Sequence, residues 1–301
     1  MEWTSAQRRI WRGGLETGRQ PAVEIAANKA SSTNGTVDTM IQRGTTSAST
    51  ADYAPLGYYL ENGCTVANNV KLVERIYGTR RLVFFECDRE AILAELPTGW
   101  TIREDALANT NLILSFNDWT SHDLPDGSPH KIVSPRFVGF LVPVRNDEGL
   151  RSGFMQVYGL AADNAYLPGP YRAYRGASYF HSCITETDGL QSTWTHDQYK
   201  LRPSESTGEF LINISHRRTL PRRVKATRPN VAVFSPFDSN IERFYQEDVV
   251  LDMVFAPAMN IRNTKSLQLE WTIPAMASVM STAKFVGMIY NSIYLRDVYE
   301  R

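Results

Sequence analysis

The sequence is short of the features that announce a familiar cofactor or compartment. Only three cysteines occur in 301 residues, Cys64, Cys87 and Cys183, and none belongs to a CxxC pair. An odd, scattered set gives no disulfide framework and suits reduced thiols in a cytoplasmic protein. No apolar run approaches the roughly 18–20 residues that cross a bilayer, and MEWTSAQRRIW has no apolar stretch behind its basic residues, so neither a membrane span nor a secretory signal is expected. An excess of one charge is missing too. Lys+Arg and Asp+Glu both number 32, so no global field draws the chain to nucleic acid or anionic lipid. GxGxxG after a strand, a Walker loop, GxSxG and HExxH are all absent, which removes the sequence support for nucleotide, hydrolase-elbow and zincin chemistry. His122, His130, His181, His196 and His216 lie at spacings that match no standard metal motif. No metal and no cofactor is expected, and the expected partner is a small-molecule substrate.

What is present is ordinary globular material, 43% hydrophobic and 21% charged, long enough to bury a sizeable core. Two regions differ in composition. Residues 1–75 include a Ser/Thr/Ala/Asn-rich stretch at 26–52 that buries too little surface to offset its ordering entropy. The aromatic patch YAPLGYYLENG (53–63) gives this extension a means of docking back, as a lid or a subunit contact. Residues 76–301 read as short β-type runs punctuated by turns.

Strands are expected at 80–87, 110–118, 136–144, 152–162, 178–187, 208–215, 230–237, 247–255 and 266–274. DREAILAELPTGW (88–100) predicts a short helix, capped by Asp88, with Ile92, Leu93 and Leu96 as its apolar stripe. Many strands against one helix predict a mainly β chain, closer to an antiparallel barrel or sandwich than to βαβ units. By period alone the tail is ambiguous. Met276, Val279, Ala283, Val286, Tyr290 and Ile293 would line one helix face, whereas KFVGMIYNSIYL reads as a strand.

Three stretches could carry chemistry. In FFECDRE (84–90), Glu86 ends an apolar strand; facing inward, its charged form would be disfavoured and suited to acid/base work, and facing outward it is merely solvated. HRRTLPRRVKATRP (216–229) holds no acid and reads as a solvated strand-turn-strand surface or the mouth of an anion site. DNAYLPGPYRAYRGASYFHS (163–182) crowds tyrosines and arginines beside a Pro-Gly-Pro turn. Strict alternation would put Tyr171 and Arg175 on one face and Arg172 and Tyr174 on the other. Either arginine could clamp a carboxylate or enolate, or simply stack on rings at the surface.

The order of these elements resembles the acetoacetate decarboxylase-like superfamily over roughly residues 77–300. RRLVFFECDREAILAELPTGWTI (80–102) resembles the family's opening strand and helix. FMQVYGLAADNAYLPGPYRAY (154–174) resembles its central strand, Asp-Asn turn and following Gly-Arg-Glu strand, and SLQLEWTIPAMASVMSTAKFVGMIYNSIYLRDVYE (266–300) its C-terminal strand pair. The resemblance implies an antiparallel, funnel-like β-barrel with a central cavity, few short helices, and a strand around 284–294. Family decarboxylases form a Schiff base through a lysine after the Gly-Arg-Glu strand, but YRAYRGASYFHSC contains no lysine. Ala173 stands where the family has that glutamate, and Glu86 where it has an arginine. Without an amine there is no iminium electron sink.

The expectation is therefore a lysine-independent, homo-oligomeric relative that acts on a carbonyl-containing small molecule, a polyketide-like or keto-acid intermediate. Dehydration or hydration, isomerisation and cyclisation need only proton transfer and oxyanion stabilisation. Glu86, Arg172, Arg175 and His181 are the candidate catalytic residues, and Tyr171, Tyr174, Phe84 and Glu270 the candidate substrate contacts. Two alternatives stand beside this reading. One is a binding barrel without chemistry; the other is a decarboxylase that takes its lysine from elsewhere, such as Lys284.

Overall fold

The computed structural model describes residues 59–61, 64–66, 70–103, 109–130, 135–162, 169–188, 192–218, 221–227, 229–238, 240–256, 261–262 and 264–300. Residues 1–58, with most of the expected extension and Tyr53 and Tyr58, lie outside them. The hairpin of β1 (Tyr59–Glu61) and β2 (Cys64–Val66) comes first, and the first long strand, β3 (Lys71–Glu86), begins ahead of the expected boundary at 76. Helix α1 (Arg89–Leu93) follows as expected: the Asp88 carboxylate accepts from the Ala91 N–H at 2.9 Å, satisfying one of the donors a helix start leaves open. Ile92 anchors the helix in the core.

Strands then dominate: β4 (Trp100–Ile102), β5 (Leu112–Asp123), β6 (Arg136–Asn146), β7 (Ser152–Ala162), β8 (Tyr174–Asp188), β9 (Ser192–Pro203) and β10 (Phe210–Arg217). They continue with β11 (Arg222–Lys225), β12 (Val231–Phe234), β13 (Glu242–Ala256), β14 (Ile261–Arg262) and β15 (Thr264–Trp271). The ambiguous tail uses both of its periods in turn, as the short helix α2 (Ala277–Met280) and then the long strand β16 (Lys284–Glu300).

The strand pairings close on themselves. Antiparallel ladders run β3–β5–β6–β7, β7 pairs β12 in parallel, and β12–β13–β16 returns to β3. The ladder is antiparallel except where β7 meets β12 and β8. From β7 a second layer departs as β8–β9–β10–β15 and folds over the outside of this ring. The main core fills the space between ring and second layer, where Phe116 meets Tyr199 at 4.3 Å and Phe140 meets Trp271 at 5.4 Å. Alternation explains the division: Arg81, Val83 and Phe85 of β3 point to this outer core, and Arg80 and Leu82 point into the ring.

Candidate active site

The ring encloses a cavity of about 270 Å³. Each ring strand supplies every second residue to its wall. Glu74, Ile76, Arg80 and Leu82 come from β3, and Ile113, Ser115, Asn117 and Trp119 from β5. Phe137 and Leu141 come from β6, Phe154 and Gln156 from β7, and Val231 and Val233 from β12. Arg243, Tyr245 and Glu247 on β13 face Arg296 and Val298 on β16. Among the described residues, no lysine lines this space.

Its charges sort into pairs with one remainder. Arg80 grips Glu247 through both guanidinium ends, at 2.6 and 2.9 Å, and its Nε donates to Asn291 Oδ1 at 2.9 Å. Burial works against both charges, but each partner outweighs it, so the arginine stays protonated and Glu247 is held below the usual carboxylate range. Arg243 reaches Glu300 at 3.2 Å. Glu74 lies 3.3 Å from His122; burial would raise its pKa, yet the histidine keeps it lowered. Arg296 has no hydrogen bond or ion pair among the described residues. Its guanidinium is held by ring faces, 4.0 Å over Tyr245, 5.1 Å over Tyr294 and 5.8 Å over Trp119.

Tyrosine hydroxyls supply the neutral polar groups. Tyr171 and Tyr245 hydrogen-bond to each other through their hydroxyls, and the Tyr174 hydroxyl donates to Gln156 Oε1 at 3.2 Å. Burial pushes all three phenols up, so they stay protonated as donors. Tyr174 can lie flat on β7 only because residue 159 is glycine: a Cβ there would come within 2.3 Å of its ring.

Of the residues expected from sequence, Tyr171 and Tyr174 line the cavity together. They reach it because alternation does not hold there. Arg172 has a φ of 58°, in the left-handed region, and strand β8 starts only at Tyr174, so residues three apart turn the same way. The same turn leaves Arg172 and Arg175 exposed, with Arg175 donating to the carbonyls of Arg172 and Tyr174, and neither lines the cavity. Phe84 is one layer back, packed with Ile113 and Val286 behind the lining residues Leu82, Leu141 and Phe154. Glu86 ends β3 half-buried beside Lys284 in the β16 register, away from the lining. Glu270 is an exposed residue of β15 and meets Gln268 at 2.5 Å.

His181 belongs to a different cluster, between ring and outer layer. Its Nε2 lies 3.0 Å from Asp197 Oδ1, the other oxygen of Asp197 accepts from Arg81 Nε at 2.8 Å, and its ring stacks on Tyr199 at 4.2 Å. Burial disfavours the Asp197 charge, but His181 and Arg81 hold it ionised. Fully buried His216, 3.9 Å from the same carboxylate, is pushed down to about 4 by desolvation and is neutral. This cluster ties β9 to the back of β3, one residue from Arg80. Neither Cys87 nor Cys183 offers an activated thiolate: burial pushes Cys87 up to about 12 and raises Cys183. Cys64 lies on β2. No group of three or more His, Cys, Asp or Glu side chains among the described residues could hold a metal ion, and no described helix is long and apolar enough to cross a membrane.

Sequence reasoning missed Arg80, Glu247, Arg243 and Arg296. The available signal was charge inside otherwise apolar or aromatic β runs, as in KLVERIYGTRRL and IYLRDVY.

No protein-family model matches the chain, and no curated protein sequence does. Solved structures do, among them an acetoacetate decarboxylase and an acetoacetate decarboxylase-like enzyme. The enduracididine biosynthesis enzyme MppR, complexed with the condensation product of pyruvate and imidazole 4-carboxaldehyde, is similar with a TM-score of 0.46 and 12% identity, over 75% of this chain and 87% of that one. An acetoacetate decarboxylase-like enzyme from Sphingomonas wittichii matches at 0.45 and 10%, over 76% and 91%. Acetoacetate decarboxylase from Legionella pneumophila matches at 0.46 and 14%, over 77% and 88%. The likeness concerns the course of the strands, so the chemistry must be read from the residues themselves.

Proposed function

We propose that the chain is an enzyme that carries out acid/base chemistry on a carbonyl-containing small molecule inside the ring, without a lysine Schiff base. One observation carries this reading: a cavity whose polar wall offers tyrosine hydroxyls, a guanidinium that makes no ion pair among the described residues, and a carboxylate, with no lysine among the described lining. The roles follow from which groups are already occupied. Both oxygens of Glu247 are spent on Arg80, so Glu74 is the carboxylate available as base. It takes the proton α to the carbonyl; the C–H electron pair becomes the C=C bond, and the carbonyl π pair moves onto oxygen. The resulting enolate is met by the one O–H that the Tyr171–Tyr245 hydroxyl pair has left to donate. In a conjugated substrate, return of the proton from Glu74 at the far carbon of the dienolate gives isomerisation; in a β-hydroxy substrate, the enolate pair re-forms the carbonyl as the C–O bond breaks, and the hydroxyl takes the proton from Glu74 and leaves as water. Glu86, Arg172, Arg175 and His181 are given no role in this step.

The test is α-proton exchange in D2O, followed by NMR with 2-oxobutyrate, phenylpyruvate and butanone against a buffer control. Exchange above the control is expected for at least one probe, with Glu74→Gln reducing it at least a hundredfold and Tyr171→Phe about tenfold. A binding barrel without chemistry would leave all three at the control rate.

A further inference from the structure

Pairing off the charges of the cavity leaves one cation for a ligand and one carboxylate, Glu74, whose ion-pair partner is a histidine and not an arginine. Arg80 is tied to Glu247 and Arg243 to Glu300, so among the described residues the cation without an ion pair is Arg296; Glu74 lies close by on the neighbouring strand β3, where Arg296 stands opposite Ile76 and Val298 opposite Glu74. Arg296 stands opposite Glu247 in the β13–β16 register and feels its charge, but both oxygens of that carboxylate are held by Arg80, so two buried guanidinium groups share one carboxylate, which is costly unless something anionic meets the second. A single cation beside a fixed carboxylate suits one negative charge and disfavours two. The rest of the wall is apolar: Leu82, Ile113, Leu141 and Phe154 form a continuous patch, backed by Phe84 and Val286. The space is about 270 Å³. A water needs only ~10–15 Å³ by that measure, and drug-sized ligands sit in pockets from about 300 Å³ upward. A three- or four-carbon acid would leave most of the apolar wall uncovered.

We infer that the cavity is built for an organic monocarboxylate with an apolar body of roughly aromatic-ring size, its carboxylate on Arg296 and its body on the Leu82–Ile113–Leu141–Phe154 patch. The substrate class is thus a bulky, singly charged oxo acid and not a short one. This deepens the proposed reaction and rests on the same cavity, but it concerns recognition and is read by binding alone.

Binding of three probes to the full chain tests it, by titration calorimetry at fixed ionic strength. The probes are phenylpyruvate, its neutral counterpart phenylacetone, and pyruvate. Phenylpyruvate should bind at least tenfold tighter than either of the others. Arg296→Gln should remove the preference for the acid over the ketone, and its unfolding temperature without ligand should equal or exceed that of the wild type, because an unpaired buried cation has been removed. Equal affinity for acid and ketone, tighter binding of pyruvate, or no binding of any probe overturns the inference. So does an Arg296→Gln protein that keeps the preference. Should that variant not fold, Arg296 is a structural residue and the assignment falls, although the wild-type comparison still reports on the apolar patch. Binding without α-proton exchange would leave the inference standing and remove the proposed reaction; exchange without acid preference would do the reverse.

Discussion

Glu247 is the residue whose loss the structure predicts most sharply. Its side chain is 12% exposed, that of Arg80 is 10% exposed, and two short hydrogen bonds join them. In Glu247→Gln the shape survives but the charge does not. Arg80 is left 4.1 Å from the Tyr294 ring with no counterion, and the neighbouring Arg296 loses the nearest negative charge as well. Breaking one side of a buried pair costs about 3–5 kcal/mol. At roughly 2–4 °C per kcal/mol for a chain approaching this size, unfolding should fall by about 6–20 °C. The double variant Arg80→Met/Glu247→Leu removes both charges and should be more stable than Glu247→Gln alone, with a coupling of about 0.5–3 kcal/mol. Thermal melts and urea midpoints at pH 7 read both effects. The pH dependence has a definite sign. Because the folded pKa of Glu247 is lowered, the pair contributes fully above the unfolded carboxylate value of about 4.3, and its contribution fades as pH falls through the folded value. Glu247→Gln should lack that part of the acid limb. A variant melting within about 2 °C of wild type, or a double variant whose loss is the sum of the singles, would refute the reasoning.

Two further outcomes are expected. Gly159→Ala puts a methyl 2.3 Å from the Tyr174 ring; it should cost about 1–3 kcal/mol by overpacking and weaken phenylpyruvate binding, and unchanged melting and affinity would show that the ring does not pack on residue 159. Borohydride treatment in the presence of 2-oxobutyrate should leave the intact mass unchanged. A substrate-sized increment on Lys284 or any other lysine would restore the Schiff-base route.

Much of the architecture could be read from local pattern, because β7 and α1 declare themselves with residues that sit near one another. SGFMQVYGLAA is apolar on both faces and is buried on both, between the ring interior and the outer core. Asp88 caps the helix as its position three residues before Ala91 implies. Strand β9 escaped for the opposite reason. Its inward positions are Thr195, Asp197, Tyr199 and Leu201, and a charged residue at the centre of that face hides the alternation. Asp197 is tolerable there only because Arg81 and His181 arrive from other strands.

The site was less legible because it is assembled by register and not by motif. Arg80 and Glu247 are 167 residues apart in sequence, and nothing local to either announces the other. Parity fails as well. On β16, Tyr290 faces the outer core under Arg81, and Asn291 faces the ring interior, where it accepts from Arg80. Reading on by twos from Asn291 would put Ile293, Leu295 and Asp297 inside. Ile293 and Leu295 are instead exposed, and Tyr294, Arg296 and Val298 turn inward. The ladder shows why: between Asn291 and Tyr294 the register with β3 slips, and such a bulge reverses which face the later residues present. A further slip between Tyr77 and Gly78 bends the facing ladder of β3 with β5, and Gly78 is needed there because a Cβ would strike the Asp118 carbonyl at 2.2 Å. The unpaired guanidinium thus lies inside the ring through an irregularity that strict alternation cannot anticipate. Bulges are over-represented beside active sites because they re-aim a side chain without changing the strand's neighbours. Arg296, re-aimed in this way onto three aromatic rings and left to share the charge of Glu247 with Arg80, is where the structure departs furthest from what stability alone would select.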